Sequence, residues 1–409
     1  TGNNNTAVGD QALSLMTTAS NNTAVGRSSL KANTTGTLNT AVGSNASLAT
    51  TTGNYSTSVG YQALCAQTTA EQNTAVGLNS SMKTTTGACN SSLGTSALCS
   101  NTTGGRNTAI GFDALCDNTT ASFNTAVGAQ TLLTNTTGAN NTAIGLQALF
   151  ANTTASNNVA VGYAALVANT TGCQNVVVGT EALGTNTTGD FNTAIGHKVL
   201  TSNTTANDNT ALGYRAMVAT TTGCQNTAVG RGAFTSLTTG TCNVGVGIEA
   251  PEDLTTGSCN TFLGYQAGKN TSTGSSNIAL GFQAGASPNG NGVFCLTSQS
   301  NRLILGHENI TNAYIQVALT VTSDLRDKTN FGTVPHGLDF VNQLNPISFQ
   351  FKKSRDNDTP HGDVRYGFKA QDIMALEGDN PVIIDKEQPE KLKYKGEHLV
   401  PVLVNAIKE

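Results

Sequence analysis

The sequence predicts an all-β solenoid of 17-residue coils followed by a small α+β domain. Three observations predict it. One short motif recurs at constant spacing over most of the chain. Its spacing is too short for a helical-hairpin repeat. Charge rises abruptly where the recurrence stops. The boundaries that follow are 1–285 for the repeats, 286–322 for the rod end and a β-rich connector, and 323–409 for the α+β domain.

Anchored on the Asn of NTAVG, the repeat begins at Asn5, Asn22 and Asn39, continues through Asn73, and ends at Asn277. Ser56 replaces Asn once, and the sixteen steps are all of 17 residues. The unit reads approximately N-T-A-V-G-x-x-A-L-x-x-N-T-T-G-x-x. Column four is always Val, Ile or Leu, and column five is always Gly. Column nine is usually Leu or Met, read here as Leu13, Leu30, Leu48, Leu64, Met82 and Leu98, and it drifts to Gly268 and Gly285 near the end.

A unit of this length suits one coil of short strand, turn, short strand, turn. The TAVG segment has a β-branched centre, and NTTG is a turn, with Asn able to cap and Gly able to take positive φ. Seventeen coils stacked at about 4.8 Å make a rod of roughly 80 Å. One coil cannot bury its own apolar face, so stability is cooperative along the stack. Columns three and four are adjacent, so their side chains point to opposite faces of the strand, and both are apolar. One face fills the interior and the other calls for a second surface. The prediction is a trimer of identical chains; the alternative is a monomeric solenoid with a weakly apolar face.

Composition excludes several classes. Charged residues are 11% of the chain against the usual quarter. The net charge of −4 is not gathered into a basic face, which argues against nucleic-acid binding. No apolar run approaches the length of a membrane span, so no membrane insertion is expected. The N-terminus has no basic end followed by an apolar stretch. No cofactor is implied, and without a C-x-x-C or paired His no metal is expected.

The nine cysteines fall in few columns. Cys99 with Cys116, and Cys242 with Cys259, stand one coil apart in one column, within disulfide reach at about 4.8 Å. Bonds between coils, bonds between chains and unpaired thiols all remain open. Column twelve gives N-x-[ST] sequons at Asn33, Asn101, Asn118, Asn135, Asn152, Asn169, Asn186 and Asn203. Two readings stand for this row: glycan acceptors on a secreted protein, or a plain Asn/Thr turn ladder.

The NTAVG and NTAIG ladders resemble the repeats in the heads of trimeric autotransporter adhesins, which are trimeric left-handed β-rolls. They also resemble repeats of phage and algal-virus fibre proteins. The resemblance covers residues 1–285 and implies a fibre.

The repeat frays through SPNGNGVFC from Ser287, and a last variant, NRLILG at 301–306, closes the rod. The stretch NAYIQVALTVTSD then reads as extended. Residues 1–300 carry 18 charges and residues 301–409 carry 28. In this second part GLDFVNQL (337–344) reads as a helix, ISFQFKK (347–353) as a strand, YGFKAQDIMAL (366–376) as strand or loop into helix, and GEHLVPVLVNAIKE (396–409) as an amphipathic helix.

These segments resemble the self-cleaving intramolecular chaperone at the C-terminus of phage tailspikes, endosialidases and tail fibres. Ser323, Asp324, Arg326 and Lys328 of SDLRDK carry the match, with LNPISFQFK (344–352), YGFKAQD (366–372) and LVPVLVNAIKE (399–409). The terminal helix of that family is usually longer. The resemblance implies cleavage between Thr322 and Ser323, with Ser323 as nucleophile and Lys328 as base. A serine hydroxyl needs such a base within hydrogen-bond reach. Arg326 is read as a like charge acting on Lys328, Asp324 as the residue that orients the turn, and Gln371 as a donor to the developing oxyanion. The reaction would run once per chain, with no external substrate.

The whole therefore reads as a virion tail fibre or other extracellular fibre, trimerised and then cut by its C-terminal domain, with a host-surface glycan or receptor as partner. The alternative is a cell-surface adhesin or self-assembling extracellular filament that retains that domain.

Overall fold

The computed structural model describes residues 2–286, 295–307, 310, 313–314, 316, 323–354, 357–387, 389 and 392–409. Most of NAYIQVALTVTSD and SPNGNGVFC lies outside them, as does Thr322. The chain divides into two compact units, one of Thr1–Ala286 with Leu296–Leu305 and a second that includes Gly306–Glu409.

The first unit is an all-parallel β-solenoid of about sixteen turns. Each coil gives one three-residue strand, from Thr6–Val8 to Ile278–Leu280, and Leu303–Leu305 adds an eighteenth. Neighbouring strands pair in parallel, column on column: Thr6 with Thr23, Ala7 with Ala24, Val8 with Val25. The last step, from Ile278 to Leu303, lengthens to 25 residues.

Column three points inward. Ala24, Ala41, Ala75 and Ala109 are fully buried, as are the column-nine residues Leu30, Leu64, Leu98 and Leu115. The second strand expected in each coil does not form. Column seven and column nine instead adopt left-handed backbone, with φ of 56° at Gln62 and 50° at Leu64. That region is costly for β-branched residues, which explains why column nine holds Leu, Met, Phe, Ser or Gly but no Val, Ile or Thr; Pro251, whose ring fixes a negative φ, departs from this backbone. Burial of each leucine, roughly 1.5–3 kcal/mol, offsets the strain. Leu48 and Met82 are corrected by one position: they sit half-buried in column ten, and Ser47 and Ser81 hold the inward place.

The glycine of column five answers two demands at once. Gly43 has φ +137°, and a methyl group built there would lie 2.4 Å from the Gly60 carbonyl oxygen of the next coil. Any side chain would force the coils apart.

Backbone bonds still join this half of neighbouring coils, as from the Leu64 amide to the Ser80 carbonyl at 3.1 Å, and two buried asparagine ladders add to them. In column one, the Asn39 amide N–H donates to Asn22 Oδ1 at 2.9 Å, and Asn39 Nδ2 donates to the Gly53 carbonyl at 2.8 Å. In column twelve, Asn118 Nδ2 donates to Asn101 Oδ1 at 2.9 Å and to the Ala121 carbonyl at 3.1 Å. These are the sequon asparagines, and Asn33, Asn101, Asn118, Asn135, Asn152, Asn169, Asn186 and Asn203 are all fully buried. A glycan on Nδ2 has no room there and would break the ladder. The glycan reading is therefore corrected to a structural turn ladder.

Departures from the consensus come in matched sets. Where column nine is Ser47, column three of the next coil is Ser58, and their hydroxyls bond at 2.8 Å. Ser81 and Ser92 repeat this, also at 2.8 Å. Where Ser56 replaces the column-one Asn, Gln67 replaces the column-twelve Asn and reaches Ser56 Oγ at 3.1 Å. Size is matched too. Gly245 sits where a methyl would come within 2.5 Å of Phe234, and Gly268 where it would come within 2.1 Å of Phe262.

The outward strand face sets a column-two residue, usually Thr, beside an apolar column-four residue. Val8, Leu93, Ile110, Ile144, Leu212 and Leu263 of column four are exposed. Column six adds Tyr163, Tyr214, Tyr265 and Phe282, with Tyr265 and Phe282 stacked at 5.5 Å.

The second unit is small and mixed. α1 (Leu338–Gln343), α2 (Ala370–Glu377) and α3 (Leu399–Lys408) accompany an antiparallel hairpin of Ile347–Ser354 with Asn357–Gly367 and a two-residue pair, Ile384–Asp385 with Lys393–Tyr394. Its core is Phe340, Ile373, Ile383, Ile384, Leu399 and Val402. The Glu409 carboxylate accepts from the Leu338 amide at 2.6 Å, a negative charge at the start of α1 where the helix dipole favours one. No helix among the described residues is long and apolar enough to cross a membrane.

Candidate functional site: the Ser323–Lys328 turn

Ser-Asp-Leu-Arg-Asp-Lys folds into a single tight turn because its second residue can cap it. Asp324 takes extended backbone, and its side chain accepts from the Arg326 amide at 2.8 Å. A 3₁₀ turn then runs over Leu325–Asp327, and the Lys328 amide returns to the Leu325 carbonyl at 3.2 Å. An aspartate bonding its own backbone two residues on is the usual start of such a turn.

The turn brings the two expected reactive groups together. Lys328 Nζ donates to Ser323 Oγ at 2.5 Å. The separation is within the reach that proton transfer requires, and a deprotonated Lys328 would accept from the Ser323 hydroxyl in place of donating to it. Both residues are exposed.

Arg326 has a different partner from the one expected. Its Nε and Nη2 grip the Asp324 carboxylate at 3.0 and 2.5 Å. This side-chain bond, followed by the backbone bond, holds the Asp324 carboxyl below the usual carboxylate range. The guanidinium is thus matched by a carboxylate and cannot act as an unopposed positive charge on Lys328. Its role is corrected to fixing the turn with Asp324.

Gln371 is not brought to the pair. It lies exposed in α2 and lines a shallow pocket with Met374, Ala375 and Leu392. Among the described residues no hydrogen bond joins it to Ser323 or Lys328, so the oxyanion role has no geometric support. The carbonyl that Ser323 would attack belongs to Thr322, outside the described residues.

Residues 323–381 match the family model of the chaperone of endosialidase. The match begins at Ser323, so the turn is the first element of this chaperone domain, and it runs on through α1, the hairpin and α2. α3 follows it in sequence but packs on the same core, where Asn405 Nδ2 donates to the His336 carbonyl at 2.9 Å. No curated protein matches the chain. A chaperone-of-endosialidase domain behind a β-solenoid makes this a fibre-like structural protein.

Two other groups hold their expected columns with different surroundings. Cys99 and Cys116 are half-buried, and the nearby Cys116 thiol lowers the pKa of Cys99. Cys242 and Cys259 are exposed. The matched Ser–Ser and Ser–Gln pairs went unread, although each is visible as two consensus breaks eleven residues apart. The column-six aromatics were also legible once the columns were aligned.

Proposed function

We propose that the protein is a tail fibre or comparable extracellular fibre, built as a homotrimer by its chaperone domain and then cut once between Thr322 and Ser323. The observation that carries the cutting step is the Ser323–Lys328 hydrogen bond at the first residue of the chaperone match.

In the reaction the neutral Lys328 amine takes the Ser323 hydroxyl proton, and Oγ attacks the Thr322 carbonyl carbon. The C–N bond breaks, the Ser323 nitrogen takes up the proton, and an ester joins Thr322 to Ser323 Oγ. Water then hydrolyses the ester and frees residues 1–322. Burial lowers a lysine's pKa and strengthens electrostatics by excluding water. Both groups are exposed in the single chain, so packing of copies around the turn is the event that would switch the pair on. Cutting then follows assembly.

The apolar column on the outward face supports association of like chains. It repeats at the pitch of the coils, so a partner that covers it along its whole length must have that same pitch. An identical solenoid does. A host-surface glycan or receptor would be met by the assembled fibre.

Intact mass and denaturing electrophoresis of wild type, Ser323→Ala and Lys328→Met test the cutting step. The expected result is a fragment ending at Thr322 in wild type and an intact chain in both variants. An intact folded wild type, or cutting in Ser323→Ala, would overturn it.

A further inference from the structure

Cys99 and Cys116 occupy column ten of adjacent coils. The coils are tied on both sides of them: the Leu98 amide donates to the Ala114 carbonyl and the Ser100 amide to the Cys116 carbonyl, each at 2.9 Å. The strands Ser91–Leu93 and Thr108–Ile110 pair in register just before. Column mates in neighbouring coils stand about 4.8 Å apart, inside the Cα range of about 4.4–6.8 Å that disulfides use. The Cys116 thiol lies near enough to Cys99 to favour its thiolate.

We propose that Cys99 and Cys116 are an oxidisable dithiol that closes a disulfide between adjacent coils by exchange with a low-molecular-weight disulfide such as oxidised glutathione. The Cys99 thiolate attacks one sulfur of the small disulfide and releases its other half as a thiolate, forming a mixed disulfide. That thiolate takes the Cys116 proton, and Cys116 attacks the Cys99 sulfur and expels the second half. Two protein thiols are oxidised, and one small disulfide is reduced to two thiols. The product covalently joins coils that otherwise depend on each other only through hydrogen bonds and packing.

The roles of the two residues differ. The neighbouring Cys116 thiol brings Cys99 down to about 7, with Lys83 adding in the same direction against the effect of burial. The same proximity pushes Cys116 up. Cys99 is therefore the attacking thiol and Cys116 the resolving one.

Other cysteines in the repeats lack this arrangement. Cys242 and Cys259 also stand one coil apart, but the Cys242 thiol donates to Gln225 Oε1 at 3.4 Å. Cys65 is followed in its column by Met82, and burial pushes its thiol up.

The test treats the full chain with oxidised glutathione, alkylates the remaining thiols, digests, and maps linked peptides by mass. The expected wild-type product joins the Cys99 and Cys116 peptides, while Cys242 and Cys259 remain unjoined. Cys116→Ser should stop at a stable glutathione adduct on Cys99. Alkylation of Cys99 in reduced wild type should accelerate through a midpoint near pH 7. A wild-type product in which Cys99 and Cys116 are not joined to each other, including links between chains or an unresolved Cys99 adduct, overturns the proposal.

Discussion

A side chain in the solenoid mostly meets copies of itself, whereas one in the C-terminal unit meets neighbours that occur once. Leu98 and Leu115, or Asn101 and Asn118, are column mates in adjacent coils. Phe340, by contrast, packs in a core of six buried residues drawn from separate segments. A repeated core is stable as a stack but poorly labelled. Shifted by one coil, it would keep most of its contacts, because period and column chemistry are unchanged. A core of single-use contacts has one arrangement. The chaperone unit is thus suited to fix alignment, and the solenoid to propagate it.

The solenoid is not wholly degenerate. Ser47 with Ser58 and Phe234 with Gly245 each join one coil to the next and fit this register, whereas Ser56 with Gln67 and Phe262 with Gly268 are matched within one coil. A slip would set a serine hydroxyl against alanine or bring two phenylalanines together.

The largest effect is expected where the repeated design has no slack. Gly43→Val adds left-handed strain and a backbone clash, and should cost about 5 kcal/mol. Denaturant unfolding should show local opening around that coil, with the C-terminal unit unaffected. Phe340→Ala should cost about 3–5 kcal/mol in the C-terminal unit, leaving the solenoid transition in place. If one variant moved both transitions equally, the division into a repeated and a single-use core would fail.

A smaller effect tests the matched pairs. Ser58→Ala leaves the Ser47 hydroxyl buried without its partner, at about 1–3 kcal/mol. The double variant Ser47→Leu with Ser58→Ala restores the consensus pair and should recover stability. A double variant no better than Ser58→Ala would show that the serines are not a unit.

The smallest effect lies in the Ser323–Lys328 turn. The Asp324 carboxyl is held low by Arg326, so its contribution is present above the unfolded carboxylate range and lost as pH falls through the depressed folded value. The Arg326 amide resonance should shift in that acid window and stay constant at neutral pH. Asp324→Asn should move the resonance at all pH values, with no measurable change in global unfolding.

Much of this was legible in the sequence because a solenoid writes its geometry as columns. The period, the inward alanine, the column-five glycine and the Ser323–Lys328 spacing could all be counted. What escaped depends on backbone sign or on side-chain choice among neighbours. Column nine looked like a strand because leucine is apolar, although its lack of β-branched residues signals positive φ. The sequon row fits either a glycan acceptor or a turn ladder by residue type alone, and only the buried, inward-facing amides decide for the ladder. Arg326 could be placed near Lys328 by sequence, but its preference for Asp324 emerges only when the turn closes.

The central claim is that the apolar column on the outward face is covered by copies of the chain. Sedimentation equilibrium of Ser323→Ala, kept uncut so that both units stay joined, tests it most directly. The account predicts a species of three chains of 41.8 kDa each. A folded species with the mass of one chain, stable across concentration, would contradict it.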